Sequence, residues 1–422
     1  MDERVYREYL AILKEELVPA LGCTEPIAIA YGAAKAREVL GALPEQITVC
    51  CSGNIIKNVK AVIVPTTGDM KGIECSAVLG AVGGRADKEL EVLSEVTDED
   101  LKLTKKLLAE KICRVELLEG VSNLQIIVKM SKGEESSLVE IAFAHTNIVR
   151  IEKNGEVLFH KKLEASAAAS TDRSLLNLRD IYDFACQVRV EDVQELLERQ
   201  VSCNYAIARE GLAGNYGARV GATILKYYGD GTRSRARALP AAGSDARMNG
   251  CIRPVVINSG SGNQGMTVSL PVAEYAAELG VSDEKKYRAL TLSNLIAIYQ
   301  KNELGKLSAY CGAVSAAAGA GAGIAYLHGA NFDIISETIV NTLADVSGIV
   351  CDGAKASCAA KIASSVDAAI LSYQMAADNH CFQPGEGLVK EDAEATIRSY
   401  GRMGREGMRS TDVEILKIML EP

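Results

Sequence analysis

Cys351 and Cys358 stand seven residues apart in "GIVCDGAKASC", a stretch with no aromatic residue and almost no bulk. Cysteines can be nucleophiles, proton carriers or metal ligands, and all three roles need the thiolate within reach of its partner. A continuous helix rises about 1.5 Å per residue and would part the two sulfurs by roughly 10 Å along one face, too far for one small metal centre. Either they are separate core residues, or the chain bends at Gly353, where a missing Cβ permits it. Cys311 in "AYCGAV" borders a glycine in the same way. Three such cysteines with no obvious fourth suit a cubane iron–sulfur cluster with one open iron. The absence of a C-x-x-C pair argues against a zinc ribbon or a ferredoxin.

Four other stretches carry polar groups in unusual places. In "GCTEP", Cys23 lies between the end of one helix and the start of the next, where free N–H groups and the helix dipole favour a thiolate. Thr24 can cap the second helix, Glu25 suits its first turn and Pro26 an early position. The same residues also fit an ordinary helix start with a space-filling cysteine. In "INSGSGNQGM", glycines that include Gly262 and Gly265 alternate with Ser259, Ser261, Asn263 and Gln264 ahead of a helix. Free backbone N–H groups there make an anion site. No lysine follows as a nucleotide phosphate loop requires, so a small carboxylate fits better, with a structural turn as the alternative. "SGNIIKN" sets Asn54, Lys57 and Asn58 after a strand, at a strand crossing or an ordinary turn. "FAHTNI" sets His145 and Thr146 between two apolar runs, where the imidazole can be a satisfied core group, a proton carrier or a substrate clamp.

The elements that must hold these residues follow from hydrophobic period. Tyr6, Leu10, Leu13 and Leu17 predict a helix over 3–18, and an Ala-rich helix follows over about 27–40. From residue 46 the pattern shortens to β-branched runs: "QITVCC", "VKAVIV", "CRVELL", "LQIIVKM", "SLVEIAF" and "NIVRIE". Asn154-Gly155 is a hairpin signal between the last of these and "EVLFH". Helices are predicted at about 71–83 and 98–110. "LEASAAASTDRS" reads as a linker, and the remainder is helical and broken by Gly-rich turns. The expectation is a helical pair over 1–40 carrying the GCTEP turn, an α+β domain over 41–165, and a large, mainly α-helical Ala/Gly-rich domain over 166–422.

Composition narrows the function. The 422 residues are 48% hydrophobic but only 5% aromatic, with a net charge of −9 and no long basic run. Nucleic acid and anionic membrane are poor partners for such a chain. "TRSRARAL", with Arg233, Arg235 and Arg237, reads as a solvated surface. "CGAVSAAAGAGAGIAYLHGA" is too poor in large apolar residues to insert in a bilayer and reads as a tightly packed helix. No signal peptide is visible, and the expected location is cytoplasmic. Twelve cysteines are then reduced thiols, some metal-bound. Cys75, Cys113, Cys186 and Cys203 look like core.

Taken in order, "LGCTEPIAIA", "SGNIIKN", "AHTNIV", "SDARMNG", "INSGSGNQG", "YCGAVSAAAGAGAG" and "GIVCDGAKASCAAKI" resemble the L-cysteine desulfidase family. The C-terminal half is similar to the α-region of iron–sulfur-dependent L-serine dehydratases. The resemblance covers nearly the whole chain. It implies a carbon–sulfur lyase that works without pyridoxal phosphate (PLP) and converts L-cysteine to sulfide, ammonia and pyruvate on a [4Fe–4S] cluster. It puts Cys311, Cys351 and Cys358 at the cluster-ligand positions and Cys23 at the acid/base cysteine, as the thiolate that removes the α-proton. The substrate carboxylate then falls to the open iron and the Ser259–Gly265 loop, with Thr24, Glu25, Asn54, Lys57, Asn58, His145 and Thr146 as further contacts. The dehydratases carry a C-terminal cysteine that this chain, ending "EILKIMLEP", lacks. Water, substrate, Cys23 and Cys251 are the candidates for the fourth iron position. L-serine dehydration, a non-catalytic metal or thiol sensor, and a metal-free helical scaffold are the rival readings. The partner implied is a small amino acid; a homo-oligomer is compatible with the chain.

Overall fold

The computed structural model describes residues 1–162, 171–305 and 307–421. Helix α1 (Glu3–Glu16) starts where the Asp2 side chain accepts from the N–H groups of Arg4 and Val5. Strand β1 (Pro19–Leu21) follows, then α2 (Thr24–Leu40), whose face-free Ala-rich sequence is buried almost throughout. The two helices enter different cores. Tyr9, Ile12 and Leu13 of α1 pack with the helices of the second half, whereas Ile27, Ala30 and Ala34 of α2 pack on a sheet.

That sheet has six strands: β2 (Gln46–Ser52), β3 (Cys113–Leu118), β4 (Gln125–Lys132), β5 (Glu135–Ala142), β6 (Ile148–Lys153) and β7 (Glu156–His160). Their spatial order is β3-β2-β4-β5-β6-β7. Only β2 and β3 run parallel, so the chain between them must cross over. It does so through α3 (Gly53–Val59), α4 (Ile73–Gly83) and α5 (Asp98–Ala109). Asn154 and Gly155 both adopt positive φ, and the hairpin predicted there joins β6 to β7.

Two readings of this region change. "VKAVIV" is not a strand. Ile55, Val59 and Val62 recur at helical spacing and are fully buried, so the first of these residues close α3 and the rest form a turn. "SGNIIKN" is accordingly a helix start rather than a loop. Of the expected linker, residues 163–170 lie outside the described residues.

The second half is helical: α6 (Leu178–Gln187), α7 (Val190–Ala213), α8 (Val220–Tyr228), α9 (Thr232–Met248), then strand β8 (Pro254–Val256) and α10 (Gly262–Glu278). It continues through α11 (Asp283–Leu304), α12 (Gly312–Leu327), α13 (Phe332–Val346), α14 (Cys358–Ala377), α15 (Ala393–Arg402) and α16 (Arg409–Leu420). The stretch weighed as a membrane span is α12, buried among α10, α11, α13 and α14. Among the described residues no helix is long and apolar enough to cross a membrane. Of the arginines of "TRSRARAL", Arg233 is exposed as expected, Arg235 and Arg237 are half-buried, and all three meet acids. Arg233 pairs with Asp367 of α14 at 2.7 Å and Arg235 with Glu274 of α10 at 2.6 Å, because the helices beside α9 present acids to it.

Small residues let these helices approach until backbone meets backbone. Gly211 of α7 lies so close to the Ala242 carbonyl of α9 that a Cβ there would overlap it. The two halves are joined by a second, two-stranded sheet, in which β1 pairs antiparallel with β8 through Ala20 and Val255. Gly211→Ala should therefore cost about 1–3 kcal/mol by overpacking. Gly407→Ala, whose Cβ would meet nothing closer than 3.8 Å, should stay within about 0.5 kcal/mol of wild type. Urea unfolding of both variants checks the pair.

Candidate active site

The β1–β8 pairing sets the start of α2 against the start of α10, and a cavity of about 250 Å³ lies between them. The cavity wall includes Cys23 and Glu25 from α2, and Asn54 and Asn58 from α3. The turn after β5 contributes His145 and Thr146, and the loop before α10 contributes Ser259, Ser261, Asn263 and Gln264. Cys311, Cys351 and Cys358 line it too, and Cys358 packs against the cluster that holds Cys23. Most residues singled out in the sequence thus meet at one place, from segments more than three hundred positions apart.

Cys351 and Cys358 meet because the helix is broken between them. Residues 350–357 are not helical, Gly353 takes φ +94°, and α14 begins at Cys358. A Cβ at Gly353 would run into the Lys57 carbonyl, so glycine is required twice over. Cys311 is pinned beside Cys351 by a short antiparallel exchange: Cys311 N–H donates to Ile349 O at 3.1 Å, and Cys351 N–H donates to Ala309 O at 2.6 Å. Among the described residues no three His, Cys, Asp or Glu side chains are close enough to hold a single metal ion. Three sulfurs spread round a cavity fit instead a cluster, which holds its ligands apart by its own body. Burial and the neighbouring Cys351 push the Cys311 thiol up to about 12, so this group becomes a thiolate only with a cation to compensate it. The N–H groups of Ala313 and Lys355 already point at the Cys311 and Cys358 sulfurs. The donor set therefore fits an iron–sulfur cluster. Cys251, weighed for the fourth iron position, sits beside Tyr216 and is not on the cavity wall, whereas Cys23 is.

Also on the cavity wall, Glu25 is the centre of a buried network. Its carboxylate accepts from Cys23 Sγ at 3.1 Å, from Thr24 Oγ1 at 3.1 Å and from Asn58 Nδ2 at 2.9 Å. His145 Nε2 stands 3.9 Å from Glu25 Oε1, ion-pair range rather than a hydrogen bond. Burial alone would raise the carboxyl. The contacts from His145, Cys23 and Arg247 outweigh it and hold Glu25 at about 2. The thiol goes the other way: burial, then the adjacent Glu25 charge, push Cys23 well above the ordinary range. This corrects the thiolate expected from the helix N-terminus. In the resting site the charge belongs to Glu25 and the proton to Cys23.

Several groups await a partner. Asn54 Oδ1, His145 Nε2 and Gln264 Oε1 are buried without a hydrogen bond among the described residues, and all three side chains line the cavity. Buried polar atoms without partners are costly, so they mark where a ligand supplies them. Ser259 holds φ +51°, a conformation that a non-glycine residue adopts at some cost, next to Gly260, which packs against His145.

Other expected contacts stand behind the wall. Lys57, 2% exposed, donates to Asp412 Oδ1 of α16 at 2.6 Å and to Cys351 O at 3.2 Å, and so fastens the cysteine loop to the last helix. Thr24 donates to Gly260 O at 2.9 Å and ties α2 to the 258–261 loop. Gly262 and Gly265 are packing positions against Arg247 and the β8 backbone. Sequence reasoning missed Arg247, Lys301 and Tyr310, which also line the cavity. Arg247 donates to Gly22 O at 2.9 Å and to Asn263 Oδ1 at 3.2 Å, joining the two loops; it lay inside "SDARMNG". Lys301 had one available signal, a charge closing the apolar run "SNLIAIYQK".

Two outcomes follow. Asp412→Ala leaves the Lys57 ammonium buried without its carboxylate and should lower the unfolding free energy by about 3 kcal/mol, read from urea unfolding. Glu25, held at about 2 against an ordinary 4.5, contributes about 3 kcal/mol that is fully present above pH 4.5. That contribution is lost as pH falls toward 2. The stability gap between wild type and Glu25→Gln should thus be widest near neutrality and shrink below pH 4.5 in denaturant titrations.

A family model described as serine dehydratase alpha chain matches residues 87–417. It takes in His145, the Ser259–Gly265 loop and all three cavity cysteines, and leaves out the Cys23 turn. The chain is 59% identical to a UPF0597 protein of Lachnoclostridium phytofermentans, covering 99% of this chain and 100% of the relative. It is 54% identical to one from Desulfitobacterium hafniense, covering 99% and 97%. A third, from Treponema denticola, is 49% identical over 100% of this chain and 99% of the relative. A match across most of the chain joins end-to-end likeness to these relatives: the chain belongs to the serine dehydratase alpha chain family and is a UPF0597 protein.

Proposed function

We propose that the protein is a PLP-independent, iron–sulfur lyase that eliminates the β-substituent of L-cysteine, yielding sulfide, ammonia and pyruvate. The observation that carries this reading is the meeting of Cys311, Cys351 and Cys358 on the same cavity wall as the Cys23–Glu25–His145 network. The serine dehydratase alpha chain match supports β-elimination as the reaction class.

Cys311, Cys351 and Cys358 would hold a [4Fe–4S] cluster, which when bound supplies an open iron as Lewis acid. The chain's own groups do the rest. The open acceptors on Asn54 and Gln264 receive the substrate ammonium, and the N–H groups at the start of α10 receive its carboxylate. His145 enters the reaction as neutral imidazole and takes the α-proton at Nε2, and only the imidazolium so formed makes the charged pair with Glu25, 3.9 Å away. Cys23, held as a thiol, gives its proton to the departing sulfide and recovers one from His145 through the Glu25 network. The products leaving the site are aminoacrylate and hydrogen sulfide. Aminoacrylate then tautomerises and hydrolyses in water to pyruvate and ammonia.

The family's name favours a second substrate, L-serine, by the same proton transfers with hydroxide as the leaving group. Anaerobic purification should give a coloured protein with iron and acid-labile sulfide, and sulfide release on adding L-cysteine. The higher kcat/KM of the two amino acids decides the substrate. A colourless, iron-free protein after anaerobic expression would sink both. With the cluster intact, Cys23→Ser should lower kcat by about 100-fold or more; full turnover would remove Cys23 from the proton path.

A further inference from the structure

Lys301 is the last member of a run of α11 that is buried without break from Ala289. It is 6% exposed, yet its ammonium makes no hydrogen bond or ion pair with any described residue. The other buried cations round the site are all engaged. Lys57 has Asp412 and Cys351 O, Arg247 has Gly22 O and Asn263, and Lys361 has Val350 O and Asp352. Arg173 holds Glu15 at 2.7 Å and Glu16 at 2.5 Å, so the Glu16 carboxylate acts on Lys301 only from a distance, without a hydrogen bond. Burial draws the Lys301 ammonium down to about 8, and the nearby Cys351 and Cys311 sulfurs oppose that. It remains charged at neutral pH.

Its position gives this charge a use. A second cavity, about 620 Å³, adjoins the first. Glu16, Ser259, Lys301 and Leu307 belong to the walls of both. An anion at the junction of the two cavities therefore meets Lys301 and the strained Ser259. A buried charge with no counter-charge in hydrogen-bond contact is costly, and an α-carboxylate between Lys301 and the α10 N–H groups lowers that cost.

We propose that Lys301 is the anchor for the carboxylate of the amino-acid substrate, at the junction of the two cavities. The proposal rests on the lyase reading, and its test separates the two. L-Alanine keeps the carboxylate and ammonium but has no leaving group. Cysteamine keeps the amine and thiol but has no carboxylate. Both are titrated calorimetrically into anaerobically prepared wild type and Lys301→Met, with iron measured in each. The proposal expects unchanged iron, L-alanine binding weakened at least about tenfold, and cysteamine binding unchanged. Steady-state turnover should then show KM raised more than kcat is lowered. Equal L-alanine affinity in the two proteins overturns it. Loss of iron from Lys301→Met also overturns it, because the lysine would then serve as counter-ion to the thiolates. Wild type that binds L-alanine but turns over neither L-cysteine nor L-serine refutes the lyase reading while leaving the anchor standing. Should Lys301→Met fail to fold, Lys301→Gln, which keeps a polar tip, is read by the same criteria.

Discussion

A helix that begins inside a protein leaves N–H groups that need acceptors, and it concentrates positive potential there. Helices α2, α10, α12 and α14 all begin at the same cavity, and none has a side-chain cap. Their starts carry Cys23, Ser261, Cys311 and Cys358. Such a site is built for negative charge, with Arg247 and Lys301 adding to the demand. Burial opposes it by keeping the thiols protonated. The balance between these two forces is what the rest of the molecule sets: Glu25 takes the charge, and the Cys23 and Cys311 thiols of the same cavity keep their protons.

Bringing four helix starts to a point requires helices that nearly touch. Alanine and glycine supply this where larger side chains would hold the axes apart, as Gly211 does for α7 and α9. It also requires a fixed relation between the two halves, and the β1–β8 ladder gives one three-residue connection at the cavity mouth. Thr24 reaching Gly260 O and Arg247 reaching Gly22 O repeat the connection with side chains. The proton-handling groups and the cysteines come from different halves, so their spacing is only as exact as these few bonds.

The α+β first part and helical second part were legible from period alone, since β-branched alternation and Ala-rich runs are local signals. The break at Gly353 was legible too, because two thiols that far apart on a helix could do nothing together. What failed was anything decided by a distant residue. Lys57 reads as a substrate group until Asp412 is seen to claim it. Cys23 reads as a thiolate from its helix, and its proton is decided by Glu25 and by burial. Lys301 shows in sequence only as a charge at the end of an apolar run, and what marks it further is the lack of a hydrogen-bonding partner in space.

The link from Lys57 to both Cys351 and Asp412 has a consequence in time. A ribosome adds roughly 5–20 residues per second, and N-terminal parts fold first. When the cysteine loop emerges, the helix that fastens it has not yet been made. The loop can settle on Lys57 only after residue 412 follows it out. The cysteine loop thereby gains its last fastening only when the final helix docks over α3.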